Sequence, residues 1–427
     1  MRMESNADPG LRRRCRLVLA GLVALGTVPG QASVVSDWDA VAAATINAPA
    51  GVYPAVTPEE QRPVYALDFS TVHVAMYDAA VAVAGGYHPF AAAVSAPAGA
   101  SIEAAVGGAT CRVLSTLFPN RAAAYTGACA GFVPGAGGDA AHAAGIAVGV
   151  AAADGILARR ANDGRMTNAP YVPTGLPGDF TPFPAGSTPA NTFLPYVRPF
   201  AIRSAAQFRA DGPPALDSTQ YAEDFNQVRL LGAAGSTVRT AEQEEIARFH
   251  TEPPPLFWSR NFRRFIAVER PVVENARLAA MLWVGHADAS IGCFESKYTY
   301  RFWRPRVAIP SAADDANGGT TADPAWLPVV PTPNHPEYPA AHGCAAGAAA
   351  RSLNDYFGTK RFHFYFDSTV TGMQHHFEST DELLQELQYA RIYGGMHFRT
   401  SSAHGAVLGR RTVAWINRHN FEAVDGQ

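Results

Sequence analysis

Three short segments in the last third of the chain carry residue types suited to anion chemistry. The first is Lys297-Tyr298-Thr299-Tyr300-Arg301-Phe302-Trp303-Arg304-Pro305. The second is His335-Pro336-Glu337-Tyr338-Pro339-Ala340-Ala341-His342-Gly343, and the third is Arg391-Ile392-Tyr393-Gly394-Gly395-Met396-His397. Lys297 and Arg304 are seven apart, a spacing that places both on one face of a helix, two turns from each other. A guanidinium fork and an ammonium point charge beside aromatic rings can hold an anion. The Ala/Gly-rich stretch from Ala340 reads as a helix start, whose free N–H groups and dipole also attract negative charge. His342 at that entrance can serve as general acid or base. Arg391 adds a third cation near a helix end, and Gly394-Gly395 lets His397 turn back towards it. Each segment alone has a plainer reading: a solvated basic face, a capping histidine, a histidine on a helix dipole.

The elements that must position these residues are helices. Helical spacing of apolar residues covers Asp68 to Val83, Ser101 to Leu117, Asp139 to Arg159 and roughly Val272 to Ile291. Asp139 is a plausible N-cap, and Thr240-Ala241-Glu242-Gln243 and Ser379-Thr380-Asp381-Glu382 are capping boxes. The first capping box opens a helix towards His250, which Pro253-Pro254-Pro255 stops. Residues 162–199, rich in Pro, Gly and Thr, read as a long connector. Few runs alternate like strands, no internal repeat is evident, and no Gly-rich nucleotide fingerprint occurs. The fold class expected is all-α, with one large helical domain over residues 33–427. Hydrophobic residues are 48% and charged ones 17% of the chain, which fits a globular protein. A net charge of -3 gives no footprint for nucleic acid, so an anion has to be held by a local cluster.

Taken jointly, the pattern is Lys-x6-Arg-Pro, then Pro-x-x-His, then Arg-x5-His. In order and spacing it resembles the signature shared by vanadium-dependent haloperoxidases and the type 2 phosphatidic acid phosphatases. His73-Val74-Ala75-Met76-Tyr77-Asp78 is a weaker echo. The resemblance implies a domain built around two helix bundles and a site that binds vanadate as cofactor. It implies that Lys297, Arg304 and Arg391 neutralise the oxyanion, with the Ala341 backbone N–H assisting. It gives His342 the acid–base role and makes His397 the vanadium ligand, or the phosphorus nucleophile in a phosphatase. Two neighbouring positions, His335 and Phe294, bear on the halide: His335 is bromoperoxidase-like, whereas Phe294 offers an apolar wall without a donor. His404, seven after His397, is a weaker candidate ligand, and Glu337 either orients a histidine or is an exposed loop acid. His375-His376 reads as surface or supporting. One departure is that Ala340 replaces the family's serine, and alanine cannot give a hydroxyl hydrogen bond.

Three functions follow as expectations. The first is a haloperoxidase acting on hydrogen peroxide, a halide (bromide above all) and an organic acceptor. The second is an acid phosphatase acting on a phosphoester. The third is a non-catalytic oxyanion-binding protein. Family membership allows a homo-oligomer. At the N-terminus, Arg12-Arg13-Arg14 and Arg16, the apolar run Leu17 to Val28 and the small residues before Ser33 form a signal-peptide pattern over 1–32. Export without a mature membrane span is the expectation. Export would also permit disulfides among Cys111, Cys129, Cys293 and Cys344.

Overall fold

The computed structural model describes residues 33–49 and 52–424, which form one compact unit. The expected signal peptide lies outside the described residues. Eleven helices of nine or more residues carry the fold among those described: α1 (Val34–Ile46), α2 (Tyr65–Ala84), α3 (Ile102–Leu117), α4 (Ala140–Arg160), α5 (Thr219–Leu231), α6 (Ala241–Phe249), α7 (Pro254–Arg263), α8 (Val272–Tyr300), α9 (Ala341–Phe357), α10 (Thr380–Tyr393) and α11 (Arg399–Asn417). The all-α expectation holds. One antiparallel hairpin, β1 (Arg361–Asp367) with β2 (Gln374–Ser379), was not anticipated. β1 does alternate, with Phe362, Phe364 and Phe366 on one face and His363 and Tyr365 on the other, but the two strands are only seven and six residues long.

α2, α3 and α4 pack together, as do α8, α9 and α11, and α2 lies against α8 to join the two groups. Every residue of α2 from Ala66 to Val81 is buried. That burial explains why Ala and Val dominate the helix with little amphipathic contrast. The two groups repeat one construction that the letters conceal. A Cβ added to Gly149 would lie 2.1 Å from the Ala105 carbonyl, and one added to Gly409 would lie 2.1 Å from the Cys344 carbonyl. Glycine is therefore what lets α4 sit on α3, and α11 on α9. The Ser101 N–H donates to the Ala141 carbonyl, and the Ala340 N–H donates to the Ser401 carbonyl. Asp78 accepts from the N–H groups of Phe90, Ala91 and Ala92, and Asp288 from those of Phe200, Ala201 and Ile202. The His73–Asp78 segment is thus buried scaffold rather than part of a site.

Local expectations hold where caps decide them. Asp139 accepts from the His142 N–H, and the Thr240/Gln243 capping box is fully formed. Ser379 caps α10, but Glu382 reaches back to the Glu378 N–H instead of closing the box. The prolines at 253–255 do more than stop a helix, because Pro254 occupies the first turn of α7. α4 is long and apolar enough to cross a membrane by length and composition. Its outer face nevertheless carries Asp154, paired with Arg112 at 2.6 Å.

The main correction concerns Lys297 and Arg304. α8 runs past Ile291 to Tyr300, so Lys297 is in its last turn. Arg304 is not on it. Arg301 adopts a left-handed conformation that ends the helix, and Arg304 is extended, as the following Pro305 requires. The two cations meet because the chain reverses, not because they share a helix face. The connector supports that reversal: the Phe180 N–H donates to the Arg301 carbonyl, and Arg301 pairs with Asp179.

Candidate active site

Lys297, Arg304 and Arg391 converge with their side chains sealed from solvent, at 0%, 1% and 1% exposure. Lys297 Nζ donates to the carbonyls of Pro336 and Glu337 at 2.8 and 3.0 Å. Arg304 donates through Nε to the His335 carbonyl, and through Nη1 to the Met396 carbonyl and His397 Nε2, both at 2.9 Å. Its Nη2 lies 3.0 Å from His335 Nδ1. Arg391 donates to the His250 carbonyl at 3.1 Å and contacts Met396 Sδ, while its Nε–H is buried with no acceptor.

His397 is held at both ends. Its Nδ1 lies 2.9 Å from Glu337 Oε1, and its Nε2 receives the Arg304 hydrogen bond. The ring is therefore the neutral tautomer with the proton on Nδ1. Glu337 is a buried orienter rather than a loop acid: Oε1 also accepts from the Phe398 N–H, and Oε2 from the Ser401 hydroxyl. The signal for it in the sequence is a lone carboxylate in an otherwise apolar, proline-framed segment. The turn that brings His397 round is the expected one: α10 ends at Tyr393, Gly395 takes φ +72°, and the His397 N–H returns to the Arg391 carbonyl.

His342 is partly buried, two residues past the N-cap Ala340. Ala340 supplies no side-chain cap, so the N–H groups of Ala341, His342 and Gly343 have no partner among the described residues. A disulfide joins Cys293, one turn before Lys297, to Cys344, two residues after His342; a second joins Cys111 to Cys129. Phe294 and His335 pack with ring centres 5.2 Å apart, forming one wall. His404 is elsewhere, with Nδ1 2.6 Å from the Tyr338 hydroxyl.

The electrostatics of this cluster are lopsided. Three cations share one immediate carboxylate, Glu337. Burial, reinforced by the Arg304 charge, pushes the Lys297 pKa well below its ordinary value. Burial brings Arg304 down to about 10 and Arg391 to about 9. His335, His342 and His397 are all held well below the usual imidazole range by burial and the surrounding cations. Burial raises Glu337 to about 7, against the opposing pull of Arg304 and Lys297. Uncompensated buried charge is costly, and an anion that accepts hydrogen bonds relieves it. The orphaned Arg391 N–H, the uncapped α9 and one imidazole nitrogen fit a tetrahedral oxyanion whose central atom takes a nitrogen ligand.

Residues 277–426 match the family model for the VCPO second helical-bundle domain. The resemblance read from the three segments therefore holds, and all three lie within the matched region. A curated relative, the vanadium chloroperoxidase of Curvularia inaequalis, is 25% identical, with the match covering 50% of this chain and 48% of the relative. The chain thus spans about half the length of that relative. Among solved structures, a bacterial vanadium-dependent iodoperoxidase superposes with a TM-score of 0.71 at 22% identity, covering 92% of this chain and 97% of that one. A bacterial vanadium-dependent chloroperoxidase in its holo form superposes with a TM-score of 0.65 at 15% identity, covering 89% and 96%. These likenesses establish the helical fold, including the bundle that bears the site.

Proposed function

We propose that this protein is a vanadate-dependent haloperoxidase, oxidising a halide with hydrogen peroxide. The observation that carries the reading is His397: a buried, neutral imidazole with Nδ1–H anchored to Glu337 and Nε2 presented among three buried cations. Vanadate, when bound, supplies a Lewis-acid centre for peroxide activation. In this reading Lys297, Arg304 and Arg391 neutralise its oxygens, the first-turn N–H groups of α9 with that of Ala341 foremost add donors, and His397 is the ligand. His342, neutral at pH 7 and partly open, moves protons. We place bromide as the halide, bounded by Phe294 and His335. Phe294 gives no hydrogen-bond donor, which disfavours the smaller, harder-to-oxidise chloride. The two disulfides support export to an oxidising compartment.

The test is a paired assay on the purified protein. One arm follows halogenation of a phenol dye with vanadate, peroxide and, in turn, iodide, bromide and chloride. The other follows hydrolysis of a chromogenic phosphate ester. Vanadate-dependent halogenation with bromide turned over and chloride not is expected. Hydrolysis that vanadate suppresses moves the protein to the phosphatases, and anion binding without either turnover leaves an oxyanion-binding protein.

A further inference from the structure

Four buried or half-buried titratable side chains behind Arg391 have no part in the mechanism above. His250, 3% exposed, ends α6, and its Nε2 is 3.2 Å from Glu386 Oε1 on α10. The same oxygen is 2.7 Å from Nδ1 of His375 on β2. His375 Nε2 is 2.9 Å from Glu245 Oε2 on α6. Three elements thus contribute one hydrogen-bonded line of alternating carboxylates and imidazoles. Its outer end is Glu245, whose side chain is 29% exposed. At its inner end the His250 carbonyl accepts from Arg391. His375 is stacked flat on Phe249, with centroids 3.8 Å apart, which fixes the plane in which both nitrogens hydrogen-bond. No group of three or more metal-ligating side chains occurs among the described residues, so the line is not a metal cage.

The chemistry of the proposed reaction supplies a use. Each turnover consumes a proton: halide, hydrogen peroxide and H⁺ give hypohalous acid and water. Lys297, Arg304 and Arg391 are poor sources, because they hold the anion through the protons they would have to give up. An imidazole that uses both nitrogens can take a proton on one side and release one on the other. We propose that Glu245, His375, Glu386 and His250 feed protons from solvent to the anion site at its Arg391 side, with His250 the positioning residue at the inner end; this rests on the haloperoxidase reading. The flanking carboxylates Glu386 and Glu245 raise His375 to about 9 against its burial, so it stands protonated at neutral pH. Its partner Glu386 is held down at about 2 by His250 and His375 despite burial. Burial lowers the His250 pKa below the usual imidazole value, against the pull of Glu386.

The experiment uses the vanadate-loaded protein with Glu386→Gln and His375→Gln, plus Glu245→Gln at the exposed end as the variant least able to disturb the fold. Expected is a loss of kcat of about tenfold, a larger solvent deuterium isotope effect, vanadate affinity within twofold of wild type, and recovery of rate on adding free imidazole. An unchanged kcat, or a loss that imidazole does not rescue with the isotope effect unmoved, overturns the feed and leaves a structural network around Arg391. If wild type oxidises no halide, the functional reading fails instead. The feed, which rests on that reading, then falls with it.

Discussion

Glu337 accepts the Nδ1 hydrogen of His397 at 2.9 Å, and both side chains are sealed from solvent. This contact fixes the tautomer and raises the basicity of Nε2, as outer partners of ligating histidines do. Glu337→Gln keeps an acceptor and removes the charge. Vanadate affinity, read by calorimetry, is expected to fall about 10- to 100-fold, and His397→Ala is expected to lose binding altogether. Wild-type affinity in His397→Ala would remove it as the ligand.

The surplus of buried positive charge makes the anion a folding partner. Vanadate or phosphate at about 100 times its Kd is expected to stabilise the protein by about 2.7 kcal/mol. Lys297→Met removes one unpaired buried cation. Its anion-free form is expected to be more stable than wild type by about 1–4 kcal/mol, and the added anion to stabilise it little. Denaturant unfolding with and without anion measures both, and a destabilised Lys297→Met would show that the carbonyls of Pro336 and Glu337 compensate the charge already.

Ala340→Ser has a precedent within the molecule. Ser101 occupies the matching N-cap of α3 and accepts from the Ala104 N–H, three residues on. A serine at 340 is expected to turn towards the Gly343 N–H in the same way, adding about 1 kcal/mol of stability and changing kcat less than twofold. A tenfold gain in kcat would mean that the hydroxyl serves the oxyanion instead.

The Glu386 network sets a pH window. Glu386 is held at about 2 in the folded protein, below its ordinary 4.5. Its stabilisation is therefore present above pH 4.5 and lost as the pH falls from there towards 2. His375 works in the opposite sense: raised from 6.5 to about 9, it contributes fully below 6.5 and loses that contribution as pH rises through 9. The stability difference between wild type and Glu386→Gln is expected to be greatest between pH 4.5 and 6.5 and to shrink on either side. Thermal unfolding across pH checks this, and a difference constant from pH 3 to 9 would refute it.

Helices and caps were legible because they depend on neighbours in sequence: Asp139, Thr240 and the Ala-rich runs declare themselves locally. The three charged segments were legible as a set through order and spacing. What was not legible is tertiary. Arg304 reads as a helix-face partner of Lys297 until the left-handed Arg301 and the strut from Asp179, 122 residues away, turn the chain. Glu337 and His250 gain their meaning only from partners 60 and 136 residues distant. The hairpin keeps the two-residue period in β1, at Phe362, Phe364 and Phe366, but strands of seven and six residues give that period little length in which to stand out.

The shared construction of the two bundles separates frame from chemistry. Two residues past the matching N-caps, α9 has His342 and α3 has Glu103. Counting back four from the paired carbonyls of Ser401 and Ala141, one half has His397 and the other Gly137. An acid and a glycine in place of two imidazoles cannot cradle an oxyanion. Of two halves built alike, one carries the chemistry and its twin serves as chassis. The silent half is a natural control, carrying the same glycine seams and aspartate clamps without the two imidazoles.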